Sequence, residues 1–396
     1  MLRHLFRLMW NRKRTNLLLI SEILCSFVVL FGVGTILVRL GTNYFSPFGF
    51  DYRPVWRLNI AADGGEKMPR AQLDEALRQV RALPGVEALT LTSHNTPFTF
   101  STSNSDFNHD NHSGLANRFD AGDDYARVMG LRLREGRWFA APDDGLKRRP
   151  VVISQSLRER LFPAPGERAV GQIIRNGSDG GTDQFVVVGV ADDIRDGSDF
   201  SAAVPAVWLR LEPHDTTEWE GAAVLLRVRP GAGAALEEQI VKTIARATRN
   251  WLTQVRTLEE DRASKSKYTL APVLALALAC VFLVLNVALG LLGVLWYNIQ
   301  QRRSEIGLRR ALGATGGGIG RQFVAETLIL TLFGVLLGAL VAVQFPLLGA
   351  FDVPAADYGR AIGLSVAFIF ALAALCAVQP SRLAARIRPA VALREE

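Results

Sequence analysis

Only three cysteines occur in 396 residues, and Cys25, Cys280 and Cys376 all lie inside long apolar runs. The stretch 41–268 contains none, which excludes a disulfide scaffold and leaves the compartment to be argued from topology. A phosphate-binding loop is also missing. Such a loop needs GxxxxGK[ST] after a strand, whereas Gly313 to Arg321 has no lysine, no Ser/Thr at the required place and no strand before it. Nor does one sign of charge dominate the 41–268 stretch, which carries 29 basic against 31 acidic residues. The net charge of +7 is therefore concentrated elsewhere, and a nucleic-acid surface is not implied. Finally, no small-x-small cleavage site follows the first apolar run, so that run reads as an uncleaved signal-anchor helix.

Four apolar blocks stand out: 17–40, 269–297, 323–345 and 361–379. At ~1.5 Å rise per residue each can cross a hydrocarbon core of ~30 Å, the last only just. Basic residues collect at one side of these spans. The tail 1–16, the loop 298–322 and the tail 380–396 together hold fourteen, so that side is expected to be the cytoplasm and both termini to lie in it. The expected organisation is a cytoplasmic tail, a first span, a large extracytoplasmic domain over 41–268, two spans joined by the cytoplasmic loop 298–322, a short extracytoplasmic loop 346–360, a fourth span and a cytoplasmic tail.

Within 41–268 a strand–helix–strand pattern appears twice. Trp56–Ile60, a helix over 69–83 with Leu73, Leu77 and Val80 at helical spacing, and Ala88–Thr92 form the first. Ala222–Val228, an amphipathic helix over 234–248 and Thr253–Thr257 form the second. They predict one α+β subdomain built from 55–114 and 216–257, with a strand-rich subdomain over 115–215 inserted in it. The latter takes strands at Pro150–Ser154, Phe185–Val190 and Val204–Leu211 and a helix at Gln155–Leu161. A polar stalk, 258–268, runs into the second span, with Pro272 as a candidate kink.

Several residues invite a functional reading. His94, His109 and His112 are of metal-ligating type, yet TSNSDFNHDNHSG has the composition of a solvated tip loop, which is the expected state. Glu22 and Glu326 lie near the cytoplasmic ends of spans, where pairing with arginines is expected, and Asn286 is deep enough to bond across helices. Gly334-x-x-x-Gly338 permits close helix approach and is a candidate contact to a second protomer. The strongest feature is the amphipathic segment 300–312, in which Arg302, Arg303, Glu305, Arg309 and Arg310 alternate with Ile306, Gly307 and Leu308, and Gly313 stands at a helix C-cap position. A short capped helix held between two spans can transmit force or can simply be a basic loop.

RRSEIGLRRALGAT, four spans with a large insertion after the first, and the tail PSRLAARIRPAVALR resemble the permease of the FtsX/MacB-like ABC transporter family. DDYARVMGLRLREGRWF, VVISQSLRERLFP and FVVVGVADDIRD are similar to its strand-rich subdomain. The resemblance covers nearly the whole chain. It implies an integral membrane α-helical fold of four transmembrane helices with an inserted α+β extracytoplasmic domain made of a porter-like and a strand-rich subdomain. It also implies a bacterial inner membrane location with 41–268 in the periplasm, a second permease protomer, and a separate ATPase subunit that binds ATP and Mg and does the hydrolysis, this chain having no Walker motif, no cofactor and no metal. The loop between spans two and three would dock on that ATPase, with Arg302, Arg303, Arg309 and Arg310 as charged contacts, Ile306 and Leu308 as apolar anchors, and Glu305, Gly307 and Gly313 shaping the helix.

The work implied is lever-driven export or efflux of drugs, peptides or lipoprotein-like substrates, with a periplasmic adaptor and outer-membrane channel as further partners. The alternative is a regulator that activates a cell-wall hydrolase. Two departures from the family pattern matter. The aromatic, glutamate-bearing first span raises a paralogous heterodimer above the homodimer. Gly316-Gly317-Gly318, each costing about 1 kcal/mol of helix propensity relative to alanine, predicts a loose hinge into the third span.

Overall fold

A computed structural model describes residues 13–61, 69–93, 95–100, 102–177, 183–211, 222–248, 251–349 and 353–385. The chain divides into two compact units, one formed by 1–42 with 270–396 and the other by 43–269.

The second unit is built on an 11-stranded sheet. Its first part pairs β11 (Leu252–Thr257), β1 (Val55–Ala61), β10 (Ala222–Val228) and β2 (Val86–Thr92), all antiparallel. Helices α2 (Arg70–Arg81) and α5 (Ala234–Ala247) cover one face. Leu73, Leu77 and Val80 of α2 meet Leu236, Ile240 and Ile244 of α5 over Leu58, Leu89, Val224 and Leu226. That packing explains the helical spacing of leucine, isoleucine and valine, because each helix hides one stripe.

The remaining strands are β3 (Asn104–His109), β4 (His112–Ala121), β5 (Leu133–Gly136), β6 (Arg149–Ser154), β7 (Ile173–Asn176), β8 (Gln184–Ala191) and β9 (Ala206–Arg210). Six of them return on themselves: β4 pairs β3, then β7, β8, β6 and β9 follow, and β9 pairs β4 in parallel. A closed ring leaves no free edge for aggregation. Phe107, Val151, Ile153, Ile174, Val187 and Val207 form its core with Leu157 and Leu161 of α4 (Gln155–Leu161). A short helix α3 (Tyr125–Met129) ends on Gly130 at φ 65°.

Two expectations are corrected here. The His109–His112 segment is a β-hairpin, with the two histidines directly opposed across a two-residue turn in which Asp110 takes φ 48°. The strand-rich part therefore begins at Asn104 and not at 115. His109 packs its ring on Phe162 and its Nδ1 donates to the Ile173 carbonyl at 2.8 Å, while His94 lies outside the described residues.

Among the described residues four helices are long and apolar enough to cross a membrane, α1 (Lys13–Tyr44), α6 (Leu258–Gln301), α8 (Gly316–Ala342) and α10 (Ala355–Ala385), and the first unit holds all but the first turns of α6 and the end of α1. A nine-residue helix α7 (Arg303–Ala311) joins α6 to α8, and α9 (Gln344–Leu347) follows α8. α6 is continuous through Pro272, so stalk and second span are one element. Ile23, Phe27 and Phe31 of α1, Leu291 of α6, Leu330 and Val335 of α8, and Ile369 and Ala373 of α10 form the bundle core.

Candidate coupling surface

α7 is defined by its ends. The α6 helix stops at Gln301, but hydrogen bonds of helical sense cross the junction, Arg302 N–H to the Ile299 carbonyl at 3.1 Å and Ile306 N–H to the Arg302 carbonyl at 2.8 Å. At the other end Gly313 adopts φ 95° and Ala314 N–H donates to the Arg309 carbonyl at 3.0 Å. This is the six-to-one bond of a Schellman cap, which a left-handed glycine permits. Thr315 then caps α8, its Oγ1 accepting from Gly318 N–H at 3.2 Å. Gly316, Gly317 and Gly318 thus form the first turn of α8. The expected loose hinge is replaced by a capped helix start, because the Thr315 side chain satisfies an amide that the helix itself leaves open.

The two faces of α7 differ. Ile306, 3% exposed, packs with Ile299, Ile319 and Phe323, and Gly307 is buried beside it. Arg302 forms a 2.8 Å ion pair with Glu326 of α8, the side chains being 12% and 16% exposed, and its guanidinium lies 5.8 Å from the Phe323 ring centroid. Gln322 continues the network, donating to Glu326 at 3.0 Å and accepting from Arg309 at 3.2 Å, while Arg309 also pairs with Glu305. Arg302 and Ile306 therefore fasten α7 to α6 and α8 within the chain. The apolar residues that face outward are Leu308, 52% exposed, and Leu312, 80% exposed, one turn apart. Glu305 is exposed, Arg303 and Arg309 are partly exposed, and the Arg310 side chain lies outside the described residues.

The paired glycines of α8 serve the chain itself. A Cβ at Gly334 would stand 2.7 Å from Ile23 Cγ2 and 3.2 Å from the Ile20 carbonyl oxygen, and one at Gly338 would stand 2.6 Å from Phe27 Cδ1. Both positions are buried against α1, so the close approach they permit is made within the chain. Glu22 is likewise seated by a glycine, since a Cβ at Gly290 of α6 would collide with its carboxylate. Glu326 has the arginine partner expected of it, whereas Asn286 donates to the Phe282 carbonyl of its own helix at 2.9 Å and makes no cross-helix bond among the described residues.

Sequence reasoning missed the fasteners of the other unit. Asp261, in the first turn of α6, is buried between Arg57 of β1 at 2.9 Å and Arg256 of β11 at 3.0 Å. Burial outweighs both arginines and raises the Asp261 carboxyl above its ordinary value, and it lowers Arg57. Arg195 is 3% exposed and donates to the carbonyls of Asn43, Ser46, Pro47, Asp199 and Ser201. Asp199 in turn accepts from Arg262 of α6 at 2.6 Å and from the Ser266 hydroxyl at 2.9 Å. The connector after α1 and the start of α6 are thereby tied through one loop, 195–201.

Comparison with known proteins gives matches on both parts of the chain. The family model described as MacB-like periplasmic core domain matches residues 21–243, and that described as FtsX-like permease C-terminal matches 277–389. A macrolide export ATP-binding/permease protein, MacB 1/2, of Paracoccus denitrificans is 29% identical over 69% of this chain and 41% of its own length. The MacB of Chromobacterium violaceum is 27% identical over 69% of this chain and 42% of its own. The chain thus spans about two-fifths of the length of these relatives. The periplasmic region of MacB from Actinobacillus actinomycetemcomitans overlays on 53% of this chain and 92% of its own with a TM-score of 0.38 and 13% identity.

Proposed function

Because the chain belongs to the family that joins a MacB-like periplasmic core domain to an FtsX-like permease region, we propose that it is the permease subunit of an ABC transporter served by an ATPase on a separate polypeptide. In this reading α7 docks in a groove of that ATPase, which binds the ATP and Mg, and closure of the ATPase dimer moves α6 and with it the extracytoplasmic unit. In this reading the termini and α7 face the cytoplasm and 41–268 the periplasm. The work is export or efflux of drugs, peptides or lipoprotein-like substrates, of which macrolides are the class named for the relatives. A periplasmic adaptor and an outer-membrane channel complete the path.

The observation that carries this reading is the split character of α7. One face is fastened to α6 and α8, while Leu308 and Leu312 stand exposed beside Arg309 and Glu305. An exposed apolar pair flanked by charges on a helix that cannot swing away is the form of a docking knob. The membrane-spanning part of α6 is largely uncovered by the rest of the chain, with Leu274, Leu278, Phe282 and Leu289 exposed, and this supports a second permease protomer along that helix.

The test is co-expression and reconstitution of this chain with separate ABC ATPase subunits of the same organism. Leu308→Ser with Leu312→Ser should abolish co-purification of the two, and Gly313→Ala, which forces a side chain into φ 95°, should weaken stimulation of ATP hydrolysis while the permease stays folded. Full ATP-dependent function in both variants would remove α7 as the coupling element.

A further inference from the structure

One feature of the sequence is not used by the coupling surface. The glycines that open α8 are poor helix formers, and yet they stand in a helix. Gly318 has a local reason, since a Cβ there would come 3.1 Å from the capping Thr315 Oγ1. Gly317 has none among the described residues, where a Cβ would meet nothing within 4 Å. Open space around a bare backbone on a costly helix start is what close approach by something else requires.

The space is a groove of about 390 Å³ between the start of α8 and the end of α10. Gly316, Gly317 and Gly320 line it together with Arg321 and Arg382. Val324, Ala325, Leu328 and Val378 give the rest of its lining an apolar character. Two arginines and a hydrocarbon lining in one groove match one amphiphile. We propose that this groove binds an anionic glycerophospholipid of the leaflet on the α7 side, its phosphate held by Arg321 and Arg382 and one acyl chain lying on Val324, Leu328 and Val378. Basic pockets between membrane helices recognise lipid head groups in this way. The glycines let the glycerol backbone approach α8, whose open amide ends favour negative charge. The inference requires the four spans and is independent of what α7 docks on.

The experiment uses the full chain purified in detergent, titrated with dioleoyl phosphatidylglycerol or dioleoyl phosphatidylcholine and read by native mass spectrometry and melting temperature. Two arginines near an anionic head group give an expected preference of about 30-fold for the glycerol lipid. Arg321→Gln with Arg382→Gln should bring the two lipids to within about threefold of each other. Gly317→Leu, which fills the groove without touching a charge, should lower occupancy by phosphatidylglycerol while the lipid-free melting temperature does not fall. Equal binding of both lipids by the native chain, or an unchanged preference in both variants, would overturn the proposal. Displacement of phosphatidylglycerol by inorganic phosphate at equal concentration would also overturn it, reassigning the groove to a free anion.

Discussion

Replacing Glu326 by glutamine leaves Arg302 facing a neutral amide at the junction of α6, α7 and α8. Breaking a fully buried ion pair by removing one partner costs about 3–5 kcal/mol. Here the side chains retain 12% and 16% exposure, so water and the Phe323 ring at 5.8 Å soften the loss. A value of about 2 kcal/mol is the reasonable figure, with surface pairs at about 0–1 kcal/mol as the lower bound. Burial of Ile306 against Ile299, Ile319 and Phe323 contributes a similar about 1.5–3 kcal/mol, so α7 stays docked on average in the variant. What changes is how often it opens. About 2 kcal/mol is about 30-fold in an opening equilibrium, and amide hydrogen exchange of the full chain in nanodiscs reads it directly. The amides of Ile306–Ala311 should exchange about 30-fold faster, those of β1–β11 should not change, and the swap Arg302→Glu with Glu326→Arg should restore protection. Unaltered exchange in α7, or equal acceleration across all four spans, would refute the view that this pair fastens the coupling helix.

Gly338→Val places branched carbons against Phe27 where even a Cβ would stand 2.6 Å away, so the melting temperature of the solubilised chain should fall by the equivalent of about 1–3 kcal/mol of overpacking. A contact between protomers would instead change only the oligomeric state seen by size-exclusion chromatography. Asp143 accepts from both terminal nitrogens, Nη1 and Nη2, of Arg137 and from the Ala140 amide, and the arginine holds its carboxyl below the ordinary 3.8. Its stabilisation is present above that ordinary value and lost as pH falls through the depressed one. With Arg137 half exposed it amounts to about 1 kcal/mol, and Asp143→Asn should remove that part of the acid slope in urea titrations followed by tryptophan fluorescence. Asp261→Ala leaves Arg57 buried without its partner and should destabilise the sheet carrying β1 and β11 by about 3 kcal/mol, read as a lower urea midpoint.

How much of this was legible depended on whether the determining contacts were local. The four spans follow from uninterrupted apolar length, and α2 and α5 from leucine and isoleucine at helical spacing, because each needs only its own stripe. The β3–β4 hairpin escaped because NSDFNH offers few apolar side chains and its pairing is set by β7 and β9, far along the chain. Arg195 escaped for the same reason, since three of its five acceptors are the carbonyls of Asn43, Ser46 and Pro47, 152, 149 and 148 residues away. In α7 the signal was present but unused. Ile306 and Leu308 are two residues apart, so at ~100° per residue they point to nearly opposite faces and cannot both meet one partner. Arg302 and Arg309, seven apart, share a face, and both reach the Gln322–Glu326 pair one turn apart on α8.

Under the proposed mechanism these fasteners bear on how α7 would pass a push to α6. α6 runs for 44 residues, about 66 Å at ~1.5 Å each, with no break in its helical span. Its first turn is pinned by Arg57 and Arg256 to the sheet, and its next turns by Asp199 through Arg262 and Ser266. Its last turn abuts α7 through hydrogen bonds across Arg302 and through Ile299 against Ile306. A helix held at both ends passes on an axial push, whereas one held at a single end would lose it in fraying of the other. The Arg302–Glu326 pair adds a constraint, because it ties the same junction to α8. Under the proposed mechanism a push on Leu308 and Leu312 must therefore displace α6 and α8 together, and α7 cannot absorb it by rotating about Arg302 alone.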